Sequence, residues 1–185
     1  MKSKKIAVIL GSLRMDSLNR KMAKALMAVS PGSLSLEILE IGELQMYNQD
    51  MDETPPGAWT EFRDRLKGFD GLLFVTPEYN RSVPGVLKNA IDVGSRPYGK
   101  NSWDGKPGAV FSVSPGHIGG FGANHHLRQS LVFLNVPVMA QPEAYFGDAG
   151  QLFDDHGHLQ TESSRDFLRN FMIAFSEWVM RNTTL

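Results

Sequence analysis

The sequence predicts an α/β fold, a three-layer sandwich built on a five-stranded parallel sheet. Three observations predict it. Short apolar runs alternate along the chain with segments whose apolar residues recur at helical spacing. The alternation reads βαβαβαβαβα, and parallel neighbours joined by helical crossovers leave helices on both faces of the sheet. The 185 residues show no linker, repeat or low-complexity stretch, so residues 1–185 form a single domain with a sizeable core.

Each element follows from its pattern. Ile6-Ala-Val-Ile-Leu10 is a continuous apolar run, as a strand covered on both faces requires. Leu18, Met22, Leu26 and Val29 mark a helix that Pro31-Gly32 ends. Leu34, Leu36 and Ile38 alternate with polar residues, the pattern of an edge strand. Residues 42–57 read as a loop. Trp59, Phe62, Leu66 and Phe69 stripe a second helix, and Leu72-Leu-Phe-Val-Thr76 is a second buried strand. Val83, Leu87, Ala90 and Ile91 mark a third helix, whose first turn tolerates Pro84. After a loop over 94–108 comes the strand Ala109-Val-Phe-Ser-Val113, then a glycine-rich turn and a helix carrying Leu127, Leu131 and Leu134. Val136-Pro-Val-Met139 is expected as a short strand, its proline placing it at an edge. A polar loop over 147–160 leads to a last helix with Phe167, Phe171, Phe175 and Trp178 on its inner stripe.

Five strands, with an alternating second strand and a proline-bearing fifth, fit the flavodoxin-like order 2-1-3-4-5. Ligands of such sheets bind beyond the carboxyl ends of the strands, at the switch between strands 1 and 3. The loops after Leu10, Thr76 and Val113 are therefore where chemistry is expected.

Composition excludes several classes. A net charge of −1 provides no basic field for nucleic acid or anionic lipid, and no acidic docking face of the kind electron carriers use. The absence of cysteine removes disulfides, thiolate metal sites and a cysteine nucleophile, and suits the cytoplasm. The apolar run from Ile6 to Leu10 is too short for a signal-peptide core or a membrane span.

The three loops carry distinct signals. Gly11-Ser-Leu-Arg-Met-Asp-Ser-Leu-Asn19 joins a strand to a helix N-terminus, where free N–H groups and the helix dipole favour an anion. Ser12, Arg14, Ser17 and Asn19 add donors, and the set reads as a phosphate cradle. Ordinary capping by Ser17, with Arg14 in solvent, is the plainer alternative. Thr76-Pro-Glu-Tyr-Asn-Arg-Ser-Val-Pro-Gly85 is stiffened by two prolines and can present fixed N–H groups to a flat heteroaromatic ring, or serve only as a rigid connection. Ser114-Pro-Gly-His-Ile-Gly-Gly-Phe-Gly122 allows close backbone approach to a ligand, or is a surface turn.

Other motifs fail on inspection. Ser112-Val-Ser114-Pro-Gly116, with Asp148 and His156 following, lacks the first glycine of a nucleophile elbow, and Pro115 removes the oxyanion donor. Gly94 to Asn101 nearly spells a P-loop, but Asn101 replaces the hydroxyl and the run follows a helix. Gly120-Phe-Gly122 is followed by His125 where a dinucleotide fingerprint needs glycine or alanine. Asp154-Asp-His-Gly-His158 reads as a solvated loop, and His125 and His126, as helix neighbours, diverge too far to share a metal.

The run Gly11-Ser-Leu-Arg-x-x-Ser-x-Asn19, the run Pro77-Glu-Tyr-Asn80 with Ser82-Val-Pro-Gly-Val-Leu-Lys-Asn-Ala-Ile-Asp92, and Ser114 with Gly119-Gly120 and His126-Leu-Arg-Gln129 resemble the NADPH-dependent FMN reductase family, specifically its bacterial chromate/quinone reductase branch. The match covers almost the whole chain in order, and the Pro-Glu-Tyr-Asn block is its most specific part. The resemblance implies bound FMN, with NADPH or NADH as reductant and small acceptors such as quinones, chromate, azo compounds or free flavin. It implies that Ser12, Arg14, Ser17 and Asn19 hold the phosphate. Pro77, Glu78, Tyr79 and Asn80 lie along the isoalloxazine, largely through their backbones. Ser114, Gly116 and Gly119 approach the ring and ribityl chain. No catalytic side chain or metal is implied, because hydride passes through the flavin in a ping-pong cycle. Position 81, often aromatic in such proteins, is arginine here. The resemblance further implies a homodimer or homotetramer, with a neighbouring subunit lining the flavin pocket. The alternative is a flavodoxin-type carrier that does not oxidise NAD(P)H itself.

Overall fold

The apolar runs become the inner strands. A computed structural model describes residues 2–154 and 157–183. Its strands are β1 (Lys4–Leu10), β2 (Leu34–Ile38), β3 (Gly71–Thr76), β4 (Gly108–Val113) and β5 (Tyr145–Phe146). Its helices are α1 (Leu18–Ala28), α2 (Gly57–Lys67), α3 (Gly85–Gly94), α4 (Phe121–Phe133) and α5 (Glu162–Asn182). The sheet is parallel throughout, in the order β2-β1-β3-β4-β5. This is the order expected from the strand count.

Strand alternation divides the core in two. Ile6, Val8, Leu73, Val75, Ala109 and Phe111 face α1 and α5, where Met22, Leu26, Phe171 and Phe175 meet them. Ala7, Ile9, Leu72, Phe74 and Val110 face α2, α3 and α4, against Trp59, Leu66, Leu87, Ile91 and Leu127. Every residue of β3 and β4 is buried. That is why their sequences carry no polar alternation.

The fifth strand differs from the expectation. Val136–Met139 does run beside β4, with Met139 N–H donating to Gly108 O at 2.8 Å and Val138 bridging Gly108. The paired strand itself, however, is Tyr145–Phe146, beside Ser112 and Val113. The edge is thus made in two pieces, one at each end of β4, separated by the excursion through Gln141 and Pro142. Phe146 holds the second piece by packing 5.1 Å from the Phe111 ring and 5.3 Å from Phe167.

The loop after β2 is more ordered in its contacts than its composition suggests. Leu39 and Ile41 are buried, and Asn89 of α3 reaches across to it. Its carboxamide accepts from Tyr47 N–H at 2.8 Å and donates to Leu44 and Gln45 carbonyls. The segment 94–101 starts at the last residue of α3, a context no phosphate-binding P-loop uses. Among the described residues, no helix is long and apolar enough to cross a membrane.

Candidate functional site

Register brings the three expected loops together. Leu10 pairs with Val75, and Thr76 with Ser112, so β1, β3 and β4 end side by side. Gly11 N–H continues the ladder by donating to Val75 O at 2.9 Å. The carboxyl edge of the sheet therefore opens on the segments 11–17, 77–84 and 114–120.

In the first loop Ser17 is the N-cap of α1. Its backbone is extended and its Oγ accepts from Arg20 N–H at 3.4 Å. The plainer capping role is thus real. Ser12 and Asn19 are buried, and Arg14 is exposed. Asn19 Oδ1 is buried with no hydrogen-bond partner. A buried amide end without a partner in the protein costs about 1–3 kcal/mol unless a ligand satisfies it.

The second loop is a tight reversal. Tyr79 N–H donates to Ser82 O at 3.1 Å and Ser82 N–H returns to Tyr79 O at 3.0 Å. Asn80 and Arg81 take φ of +50° and +63°, the type I′ pattern. Glu78 does something the sequence did not signal. Its Oε2 accepts from Ala123 N–H at 3.1 Å, in the first turn of α4, while Oε1 accepts from Arg81 Nη1 at 3.1 Å. Gly120, the N-cap of α4, has no side chain with which to cap the helix, so a residue from the neighbouring loop does it.

The third loop is clamped onto β5. Ser114 N–H donates to Phe146 O, and Ala149 N–H to Ser114 O. Gly119 sits at φ +66°, and a Cβ there would lie 2.7 Å from the Tyr145 carbonyl carbon. Both the turn and the close approach demand glycine. Ser114, Gly116 and Gly119 line one pocket of about 180 Å³ with Glu78 and Arg81. Of the expected residues of the second loop, Glu78 lines this cavity with Ser114, Gly116 and Gly119, whereas Pro77, Tyr79 and Asn80 are not part of its lining. Ser112, which stands where a nucleophile elbow needs its first glycine, is fully buried with its Oγ donating to Ala144 O at 3.3 Å, and Ser114 Oγ accepts from Gly116 N–H at 3.1 Å. Asp155 and His156 lie outside the described residues, and Asp154 Oδ1 is held by His158 N–H at 2.8 Å.

An aromatic cluster beside this loop was not expected. The Phe121 ring stands 4.2 Å from His125, whose Nε2 lies 3.0 Å from Tyr145 Oη. Burial, with the Glu143 carboxylate adding to it, pushes the Tyr145 phenol up to about 12. Between its ordinary value of 10.0 and about 12 the folded chain keeps this proton while the unfolded chain has lost it. Tyr145 therefore stabilises fully below pH 10.0, and that contribution is lost as pH rises through about 12. Urea unfolding across this window should show a smaller loss for Tyr145→Phe than for the parent. Equal losses would remove Tyr145 as the cause.

Comparison with known proteins gives a consistent result. Residues 4–151 match the family model described as NADPH-dependent FMN reductase. A quinone reductase of Pseudomonas putida is 60% identical over 178 residues, covering 96% of this chain and 95% of the relative. A 2-hydroxy-1,4-benzoquinone reductase of a Burkholderia species is 45% identical, covering 95% and 96%. Among solved structures, FerB of Paracoccus denitrificans, a flavoenzyme NAD(P)H:(acceptor) oxidoreductase, superposes with a TM-score of 0.91. It is 42% identical, and the alignment covers 97% of this chain and 98% of that one.

Proposed function

This chain belongs to the NADPH-dependent FMN reductase family, and from that premise we propose how its residues divide the work. The protein is an FMN-dependent NAD(P)H oxidoreductase acting on quinones. Bound FMN supplies the ability to take a hydride from NAD(P)H and pass two electrons to the acceptor. The residues serve to place that group and keep its working face open.

The first loop holds the phosphate. Ser12 and Arg14 donate to it, Ser17 fixes the start of α1 so that its free N–H groups aim outward, and Asn19 offers its amide. The observation that carries this assignment is the N-terminus of α1 at the carboxyl end of β1, with Ser12, Ser17 and Asn19 buried around it. Pro77, Glu78, Tyr79 and Asn80 present backbone to the ring, with Glu78 locking the loop to α4. Ser114, Gly116 and Gly119 line the opposite side. No side chain is needed as nucleophile or base. Chromate, azo compounds and free flavin belong to the acceptors proposed.

The working form is a homodimer or homotetramer in the cytoplasm. The exposed Val132 and Phe133, 71% and 84% accessible at the end of α4, support a second copy as their cover.

Quenching of FMN fluorescence tests the phosphate assignment. Asn19→Ala and Arg14→Ala should each raise the Kd about tenfold, the loss of one hydrogen bond to a charged group. Variants that bind FMN as tightly as the parent would take the phosphate out of this loop.

A further inference from the structure

The turn at residues 79–82 places a non-glycine residue, Arg81, at φ +63°. The left-handed region is strained for such a residue, and glycine would make the same reversal without that strain. The side chain held there is also anchored. Nη1 of Arg81 binds Glu78 Oε1 at 3.1 Å, and the other oxygen of Glu78 is fixed on Ala123 N–H at 3.1 Å. The Glu78 side chain is only 9% exposed, whereas that of Arg81 is 73% exposed. Nε and Nη2 of Arg81 have no hydrogen-bond partner among the described residues. Arg81 thus stands on a rigid support with a free guanidinium edge, at the lining of the pocket that Ser114, Gly116 and Gly119 share.

We propose that Arg81 selects for an anionic group, a phosphate or a sulfonate, on the molecule that enters this pocket. The proposal rests on the flavin-reductase reading of the site. A guanidinium edge offers paired N–H donors that match an oxyanion. The Glu78 carboxylate is buried, with its oxygens turned to Ala123 N–H and Arg81 Nη1, so the exposed part of the pair is the guanidinium. His117, the other cationic candidate in the lining, is directed by its Nδ1 contact of 2.9 Å to Asp148. With a net charge of −1, the chain has no general positive field to attract anions instead. The anionic group has two chemical sources: the 2′-phosphate that distinguishes NADPH from NADH, and an acidic substituent on the acceptor.

Calorimetric titration of the FMN-loaded protein separates them. One probe pair is adenosine 2′,5′-bisphosphate against 5′-AMP. The other is a sulfonated naphthoquinone against its uncharged parent. Arg81→Gln should weaken the anionic member of at least one pair about fivefold to tenfold relative to its partner, and Arg81→Lys should keep part of that preference. Loss in the nucleotide pair assigns Arg81 to the NADPH phosphate; loss in the quinone pair assigns it to the acceptor. Unchanged ratios in both pairs overturn the proposal. So does a variant that loses FMN itself, measured by fluorescence on the same samples, because Arg81 is then a flavin ligand. A parent protein that takes up no FMN overturns the functional reading, and this inference with it.

Discussion

Replacing Gly11 with valine should abolish tight FMN uptake while leaving a folded protein. Gly11 is where β1 hands over to the first loop, directly beside β3. A Cβ there would lie 2.5 Å from Thr76 Oγ1 and 2.9 Å from Pro77 Cδ. Neither neighbour can retreat. Thr76 is fully buried, with its hydroxyl donating to Pro77 O at 2.9 Å, and the Pro77 ring is rigid and buried. The added atoms must push the first and second loops apart at the point where both are proposed to grip the cofactor. Overpacking of this kind costs about 1–3 kcal/mol of stability. The effect on binding should be larger, because phosphate and ring contacts are displaced relative to each other, and each lost hydrogen bond to a charged group raises the Kd about tenfold. FMN titration and urea unfolding of the same sample check both halves. A Gly11→Val protein with parental FMN affinity would show that the two loops do not act as one site.

Trp103→Ala should do the reverse. Trp103 is fully buried in the loop before β4, with its Nε1 donating to Ile91 O at 3.0 Å. It packs 5.9 Å, ring to ring, from both Phe62 and Phe74, tying α2, α3 and β3 into one core. Truncation leaves a large cavity and an unpaired carbonyl, at about 3–5 kcal/mol. For a chain of this length that lowers Tm by about 6–20 °C. Trp103 lies at the amino-terminal end of the sheet, opposite the loops, so the protein that remains folded should bind FMN normally. A thermal melt with and without saturating FMN separates the two effects. Weakened FMN binding in the folded fraction would mean that the core and the site are coupled across the sheet.

These two residues also show what could be read from the chain. The four buried or half-buried strands β1 to β4 were legible, since sheets covered on both faces need unbroken apolar runs and an edge needs alternation. The strand count then gave the order of the sheet, and the order gave the three loops. The fifth strand was legible only in part. Val136–Met139 has the apolar pattern but makes just the first contact with β4, and the pairing of Tyr145–Phe146 depends on Phe111 and Phe167, which are distant in sequence. Two residues of strand carry no periodicity to detect. The same holds for Glu78, whose side chain caps α4 from 45 positions away. Its sequence neighbours suggested a backbone role, and nothing local distinguishes a carboxylate that caps a distant helix. Asn89 likewise sits on the apolar stripe of α3, and its purpose shows only once the loop bearing Tyr47 is folded against it.

The central claim is that these three loops hold FMN and expose it to NAD(P)H. An absorption spectrum of the FMN-reconstituted protein, recorded before and after anaerobic addition of NADPH, tests it most directly. The account predicts flavin bands that bleach within the mixing time and return when a quinone is added. Bound flavin that stays oxidised would contradict the enzyme and leave an electron carrier. A protein that remains colourless after incubation with FMN would contradict the site itself.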